Sequence, residues 1–167
     1  MKASSALALC APMTMAQTHP ASIAPDIESG STYIASNLGN GVNPDFKGGT
    51  LKIDTVNTIS QDFTVEDYST NTIDVNGNSV TMSGAFTGVG GLTLADNSGN
   101  GGGITLTSAS NSLTGTITVD SGTSLAVADS GTLASVTDII DNGTFDISGT
   151  SGGSTIVTLS GSGNVVL

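Results

Sequence analysis

Aliphatic residues two positions apart, divided by turn-forming residues and recurring about every twentieth position, restrict this chain more than anything else. Thr72 to Leu94, TIDVNGNSVTMSGAFTGVGGLTL, holds three such pairs: Ile73/Val75, Val80/Met82 and Leu92/Leu94. Residues two apart on a strand share a face, so each pair points one way and Asp74, Thr81 or Thr93 points the other. Asn76-Gly77-Asn78, Ser83-Gly84 and Gly88-Val89-Gly90-Gly91 interrupt the pairs. Gly and Asn accept the positive φ of a sharp corner, so these read as turns rather than strand interiors.

The same grammar runs on either side, with Leu51/Ile53 and Phe63/Val65 before it. After it come Ile104/Leu106, Ile117/Val119, Leu125/Val127, Phe145/Ile147, Val157/Leu159 and Val165/Leu167. Starts at 104, 125, 145 and 165 lie 21, 20 and 20 residues apart, and those at 51, 73 and 92 lie 22 and 19 apart. That interval is the size of a solenoid coil. The expectation is an all-β parallel β-helix over residues 49–167, about six coils of roughly 20 residues with the pairs stacked inward. No stretch offers caps and helical periodicity; Val136 to Ile140 comes nearest and is too short.

Composition decides between order and disorder. Gly contributes 23 of 167 residues and aromatics only 4%, which alone suits a disordered chain. Strict alternation of Val, Ile and Leu argues instead for pleated structure. The 14 acids outnumber three bases, Lys2, Lys47 and Lys52, for a net charge of −11. With no cation after Lys52, residues 53–167 cannot neutralise phosphates, so nucleic acid is not an expected partner. No acidic run exceeds Glu66-Asp67, and dispersed acids read as a solubilising surface that blunts strand edges. The single cysteine, Cys10, leaves no internal disulfide.

Residues 1–16, MKASSALALCAPMTMA, carry one Lys, an apolar run and small residues, which reads as a signal peptide cleaved before Gln17. Residues 17–48, with Pro20, Pro25 and Pro44 and no sustained period, read as an irregular leader or N-terminal cap. His19, the only histidine, is expected to be solvent-exposed, since a zinc site needs three or four ligands.

Several motifs imitate sites. Asp74-Val75-Asn76-Gly77-Asn78 opens like a calcium loop but lacks the closing glutamate, so a corner turn is expected. Asn100-Gly101-Gly102-Gly103-Ile104 lacks the aspartate of a glycine-rich calcium repeat and reads as a loop. Gly88-Val89-Gly90-Gly91 has neither the lysine nor the helix N-terminus of a phosphate cradle. Asn142-Gly143-Thr144 is a sequon, meaningful only in a eukaryotic secretory route. No catalytic, cofactor-binding or metal-binding residue is picked out, and an enzyme is not expected.

The phrases TIDVNGNSVTMSGAFTGVGGLT and ITLTSASNSLTGTITVDSGTSLAVADSGTL, then VTDIIDNGTFDISGT and LSGSGNVVL, resemble the passenger-associated repeat of bacterial autotransporters. Gly90, Gly91, Leu92, Thr93, Leu106, Thr107, Asn111, Leu113, Thr114, Gly115, Thr118, Val119, Gly122 and Leu125 stand at matching places, and the resemblance spans about residues 60–167. Leu113 replaces the family's aromatic residue. The resemblance implies a right-handed β-helix, export to the bacterial surface or medium, and a stalk or adhesin-like role toward a host glycan or matrix surface. It also implies a translocator β-barrel. The sequence carries none, so a passenger fragment is expected, with an open C-terminal edge capable of end-to-end self-association.

Two other classes remain as alternatives. A β-helix polysaccharide-active enzyme fragment would need a carboxylate pair such as Asp138/Asp141, because no Lys, Arg or His follows residue 52. A Thr-array surface-binding solenoid would use Thr105/Thr107 and Thr116/Thr118. Asp74, Lys52, Ala126 and Asp146 at other outward positions break that array.

Overall fold

The computed structural model describes residues 25–55 and 57–167. Seven parallel-stacked coils make up the described chain, so it is an all-β solenoid. The first coil holds β1 (Ile27–Glu28) and β2 (Thr32–Ile34), then a 3-10 turn at Ala35–Asn37. The second holds β3 (Asp45–Lys47), β4 (Thr50–Lys52) and β5 (Thr58–Ile59). The third holds β6 (Phe63–Val65), β7 (Thr72–Asp74) and β8 (Ser79–Met82). The fourth holds β9 (Phe86–Gly88), β10 (Leu92–Ala95) and β11 (Gly102–Leu106). Two strands each serve the last three: β12 (Ile117–Val119) with β13 (Thr123–Asp129), β14 (Ile139–Asp141) with β15 (Thr144–Thr150), and β16 (Leu159–Gly161) with β17 (Asn164–Val166).

Three sheets form the walls. Wall A is β1-β3-β6-β9, wall B is β2-β4-β7-β10-β12-β14-β16, and wall C is β5-β8-β11-β13-β15-β17. Every strand pairing in the three walls is parallel, so each coil donates and accepts backbone hydrogen bonds from the coils beside it. At ~4.8 Å per step, the seven strands of wall B make a stack roughly 29 Å long.

The core is a set of vertical columns. In wall C, Val80, Ile104, Leu125, Phe145 and Val165 register one above another, with Ile59, Met82, Leu106 and Val127 beside them. In wall B the run is Tyr33, Leu51, Ile73, Leu94, Val119. Wall A contributes a Phe63–Phe86 stack with centroids 5.1 Å apart and planes at 14°, with Phe46 tilted against Phe63 at 5.6 Å. Each buried aliphatic side chain is worth ~1.5–3 kcal/mol of transfer free energy, and the columns supply most of the apolar burial.

The structure departs from the expectations in four places. The solenoid does not begin at Gly49: β1, β2 and β3, within the expected leader or cap of 17–48, already pair in register with later coils. That adds a seventh coil to the expected six, because extended backbone at Thr32–Ile34 finds Thr50–Lys52 as a ladder partner despite its irregular side-chain pattern. Second, Ile73 registers with Leu94, not Leu92. Third, coils are less uniform than twenty residues: the wall B pairs Thr32/Thr50, Thr50/Thr72, Thr72/Thr93, Leu92/Ile117, Ile117/Ile139 and Ile139/Leu159 are separated by 18, 22, 21, 25, 22 and 20. Fourth, the last pairs do not bury: Val157, Leu159, Val165 and Leu167 are 61%, 40%, 44% and 86% exposed, since the seventh coil has a described neighbour on one side only. The expected signal peptide of 1–16, Cys10 and His19 lie outside the described residues.

Candidate functional site

The chemistry-bearing residues of this chain gather at the corner where wall B turns into wall C. Asp54, Asp74, Asp96, Asp120 and Asp141 each fall at or just past the end of a wall B strand. Asp favours such places because its short side chain can accept from amides one or two residues on, closing a turn. Asp74 Oδ1 accepts from Asn76 N at 3.0 Å and from Asn97 N, one coil on, at 3.1 Å. Asp96 Oδ1 accepts from Gly77 N of the coil before at 2.8 Å, from Ser98 N at 3.0 Å and from Ser98 Oγ at 2.6 Å. Its Oδ2 accepts from Gly101 N at 2.7 Å.

The electrostatics follow from those donors. The Ser98 hydroxyl, with the Ser98, Gly101 and Gly77 amides, holds the Asp96 carboxyl below the usual carboxylate value. Ser36 does the same for Asp54, and Ser148 for Asp146. Asp74 Oδ1 and both oxygens of Asp96 accept backbone amides, including one from a neighbouring coil in each case, so these carboxylates clamp coil to coil. Among the described residues, no three His, Cys, Asp or Glu side chains come together as a metal site. Asn76-Gly77-Asn78 is a corner turn, with φ of 49° at Asn76 and 74° at Gly77, and Asn78 Nδ2 donates to Ile53, Val75 and Asn76 carbonyls.

Asp141 departs from this pattern. It registers with Val119 and so stands in the inward column, 2% exposed. Its Oδ1 accepts from Gly143 N at 3.0 Å, while Oδ2 has no hydrogen-bond partner among the described residues; nor has Thr123 Oγ1 on the coil before. Outside this corner runs an open polar groove of ≈ 420 Å³ along the last four coils, lined by Ser121, Thr123, Asn142, Thr144, Ser162 and Asn164 with glycines, Gly102 among them. Hydroxyls, carboxamides and glycine backbone there present donors and acceptors without a cation or an aromatic platform.

The other singled-out residues fall apart or into scaffolding. Asp138 and Asp141 face opposite sides of wall B: Asp138 receives the Ser160 hydroxyl at 3.4 and 3.5 Å outside, while Asp141 points in. A strand separates the two carboxylates. Gly88 to Gly91 permits close approach between coils, since a Cβ on Gly90 would lie 1.9 Å from the Glu66 carbonyl oxygen. Asn142 of the sequon is exposed at the corner.

The sequence reading gave two residues no structural role: Asn71, which it did not single out, and Asn111, which it named only within the repeat resemblance. Asn71 and Asn111 are buried amides, 1% and 7% exposed, each tying three coils together. Asn71 accepts from Gly48 N at 2.7 Å and donates to Glu66, Tyr68 and Gly91 carbonyls at 2.8, 3.1 and 3.1 Å. Asn111 accepts from Phe86 N at 2.8 Å and donates to Ser108 and Thr132 carbonyls at 3.1 and 3.2 Å. The shared signal is small: Ser69-Thr70-Asn71-Thr72-Ile73 and Ala109-Ser110-Asn111-Ser112-Leu113 both set Asn between hydroxyl residues, two before an aliphatic.

The fold and corner define a parallel β-solenoid whose polar chemistry serves mainly to hold its turns. No family model, no curated protein and no solved structure matches the chain.

Proposed function

We propose that the chain is an exported passenger-type module, a stiff acidic spacer or adhesin-like stalk carried at a bacterial cell surface or released into the medium. The observation that supports this reading most is the unbroken wall B ladder, seven parallel strands in register from Thr32 to Gly161. A stack with every coil hydrogen-bonded to the next resists extension along its axis, which is what a spacer requires. The resemblance to autotransporter passengers supplies the location, and a host glycan or matrix surface is the ligand class for any adhesive role. The test is surface labelling: antibodies against residues 49–167 applied to intact cells of the source organism should bind, and added protease should remove the epitope. Signal only after permeabilisation would defeat the proposal. A glycan array then separates adhesin from plain spacer.

A second reading, a hydroxyl-array surface-binding solenoid, draws support from one feature. Thr32, Thr50, Thr72, Thr93 and Thr118 register in a single outward column of wall B. Five threonines at ~4.8 Å spacing make a regular rank where the sequence suggested a broken one. Ile140 ends the rank, and the neighbouring column carries Lys52 and then Asp74, which the structure buries at 4% exposure where an outward position was expected. Growth-rate measurements on ice or mineral faces, with Thr72→Lys and Thr93→Lys as controls, test it.

A further inference from the structure

The chain contains four Asn-Gly dipeptides, at 40–41, 76–77, 100–101 and 142–143. Asn-Gly is the pair most open to spontaneous deamidation, because an unsubstituted glycine lets its backbone nitrogen reach the preceding side chain. The attacking group is that nitrogen after loss of its proton. A hydrogen bond from the N–H to a carboxylate opposes the step twice, by holding the proton beside a negative charge and by fixing the nitrogen's direction.

Three of the four glycines are held in this way. Gly77 N donates to Asp96 Oδ1 at 2.8 Å, Gly101 N to Asp96 Oδ2 at 2.7 Å and Gly143 N to Asp141 Oδ1 at 3.0 Å. One carboxylate, Asp96, guards two sites. Asn76 is constrained further by its φ of 49° and by donating to the Ile53 carbonyl at 3.3 Å. Asn40 and Gly41 differ. Both are exposed, the Gly41 N–H has no partner among the described residues, and the Cβ position of Gly41 meets nothing within 4 Å.

We infer that Asn40 is the chain's self-modification site, converting to aspartate and isoaspartate while Asp96 and Asp141 protect Asn76, Asn100 and Asn142. The Gly41 nitrogen bonds to Asn40 Cγ, the carboxamide C–N bond breaks, and ammonia leaves with the transferred proton. Water then opens the resulting succinimide at either carbonyl. The product adds one negative charge to a chain already at −11. The isoaspartate form lengthens the backbone by one atom just before Val42, which is buried.

The lysine positions make the test direct. Trypsin releases residues 3–47, whose Asn-Gly is Asn40, and residues 53–167, which hold the other three. The full chain is aged in mildly alkaline buffer, denatured and digested, and tandem mass spectrometry reads each Asn-Gly site within the two fragments. Residues 3–47 should deamidate about tenfold faster than any site in 53–167, the factor a hydrogen bond to a charged acceptor is worth. In urea the four sites should converge. Asp96→Ala should speed Asn76 and Asn100 together and leave Asn142 unchanged. Equal rates in the native chain, faster loss from 53–167, or a uniform rise across all sites in Asp96→Ala would each overturn the inference.

Discussion

Asn71 accepts the Gly48 amide of the coil before it at 2.7 Å and donates to the Gly91 carbonyl of the coil after it at 3.1 Å. One buried side chain therefore couples three rungs of the solenoid. It occupies an inward position: Thr72 registers with Thr93, which sets Asn71 one coil from Leu92. Parallel ladders satisfy backbone groups within strands, and at the turns between walls a carboxamide, which both donates and accepts, completes the pairing.

Asn71→Asp should therefore destabilise although the shape is kept. The Oδ1 acceptor survives, but the Nδ2 donor is replaced by an oxygen facing the Glu66, Tyr68 and Gly91 carbonyls. We expect a loss of ~2–4 kcal/mol, since several buried acceptors lose their partner at once. Urea unfolding of the two proteins measures it, and a loss below ~0.5 kcal/mol contradicts the three-coil role.

Leu94 and Thr93 are adjacent and point opposite ways. Leu94 is fully buried between Ile73 and Val119, so Leu94→Ala should cost ~2–5 kcal/mol by lost transfer energy and the cavity left. Thr93→Ala on the outer column should stay within ~0.5 kcal/mol. The same denaturation curves decide it.

Neighbouring glycines at the wall A to wall B corner separate in the same way. A Cβ on Gly90 would meet the Glu66 carbonyl oxygen at 1.9 Å, whereas one on Gly91 meets its nearest neighbour, the Thr116 carbonyl oxygen, at 3.4 Å. Gly90→Ala is expected to lower the melting temperature by many degrees, or to block folding, because backbone must move. Gly91→Ala should shift it little. Circular dichroism melts of both variants check the order.

Acid should unfold the protein through two corner aspartates and one on wall C. Asp54, Asp96 and Asp146 bind a proton less readily in the folded chain than in the unfolded one, where such groups titrate near 3.8. Their contribution is thus complete above that value and disappears as pH falls through their lower folded values. Lys47, raised by its 2.7 Å contact with Asp26, acts in the opposite sense: its contribution holds below 10.5 and is lost as pH rises through its higher folded value. Melting temperature plotted against pH should show a plateau with both limbs, and Asp96→Asn should flatten the acid limb.

Much of the fold was legible because its signals are local. Period-two pairs and Asn/Gly turns announce short strands and corners, and the intervals of 21, 20 and 20 from Ile104 through Leu125 and Phe145 to Val165 match the wall C register. Reading Leu92 against Ile73 went astray because the residue one coil before Leu92 is a buried asparagine, so a polar letter stands where an aliphatic one was sought. The corner glycines and Asp74 were legible as turn chemistry. Pairing Asp138 with Asp141 was not, because three residues along a strand reverse the face, and only a known strand boundary reveals it.

Alone, the sequence determined that this chain would coil in short strands with aliphatic residues inward, since alternation and turn propensity act over a few residues. Tertiary structure decided which coil stands on which, because coils of 18 to 25 residues leave the register open until hydrogen bonds between rungs close it. It also decided that Asn71 and Asn111 go inside, a choice that depends on backbone donors supplied by coils more than twenty residues away, and that Asp141 does, where strand register with Val119 turns it inward.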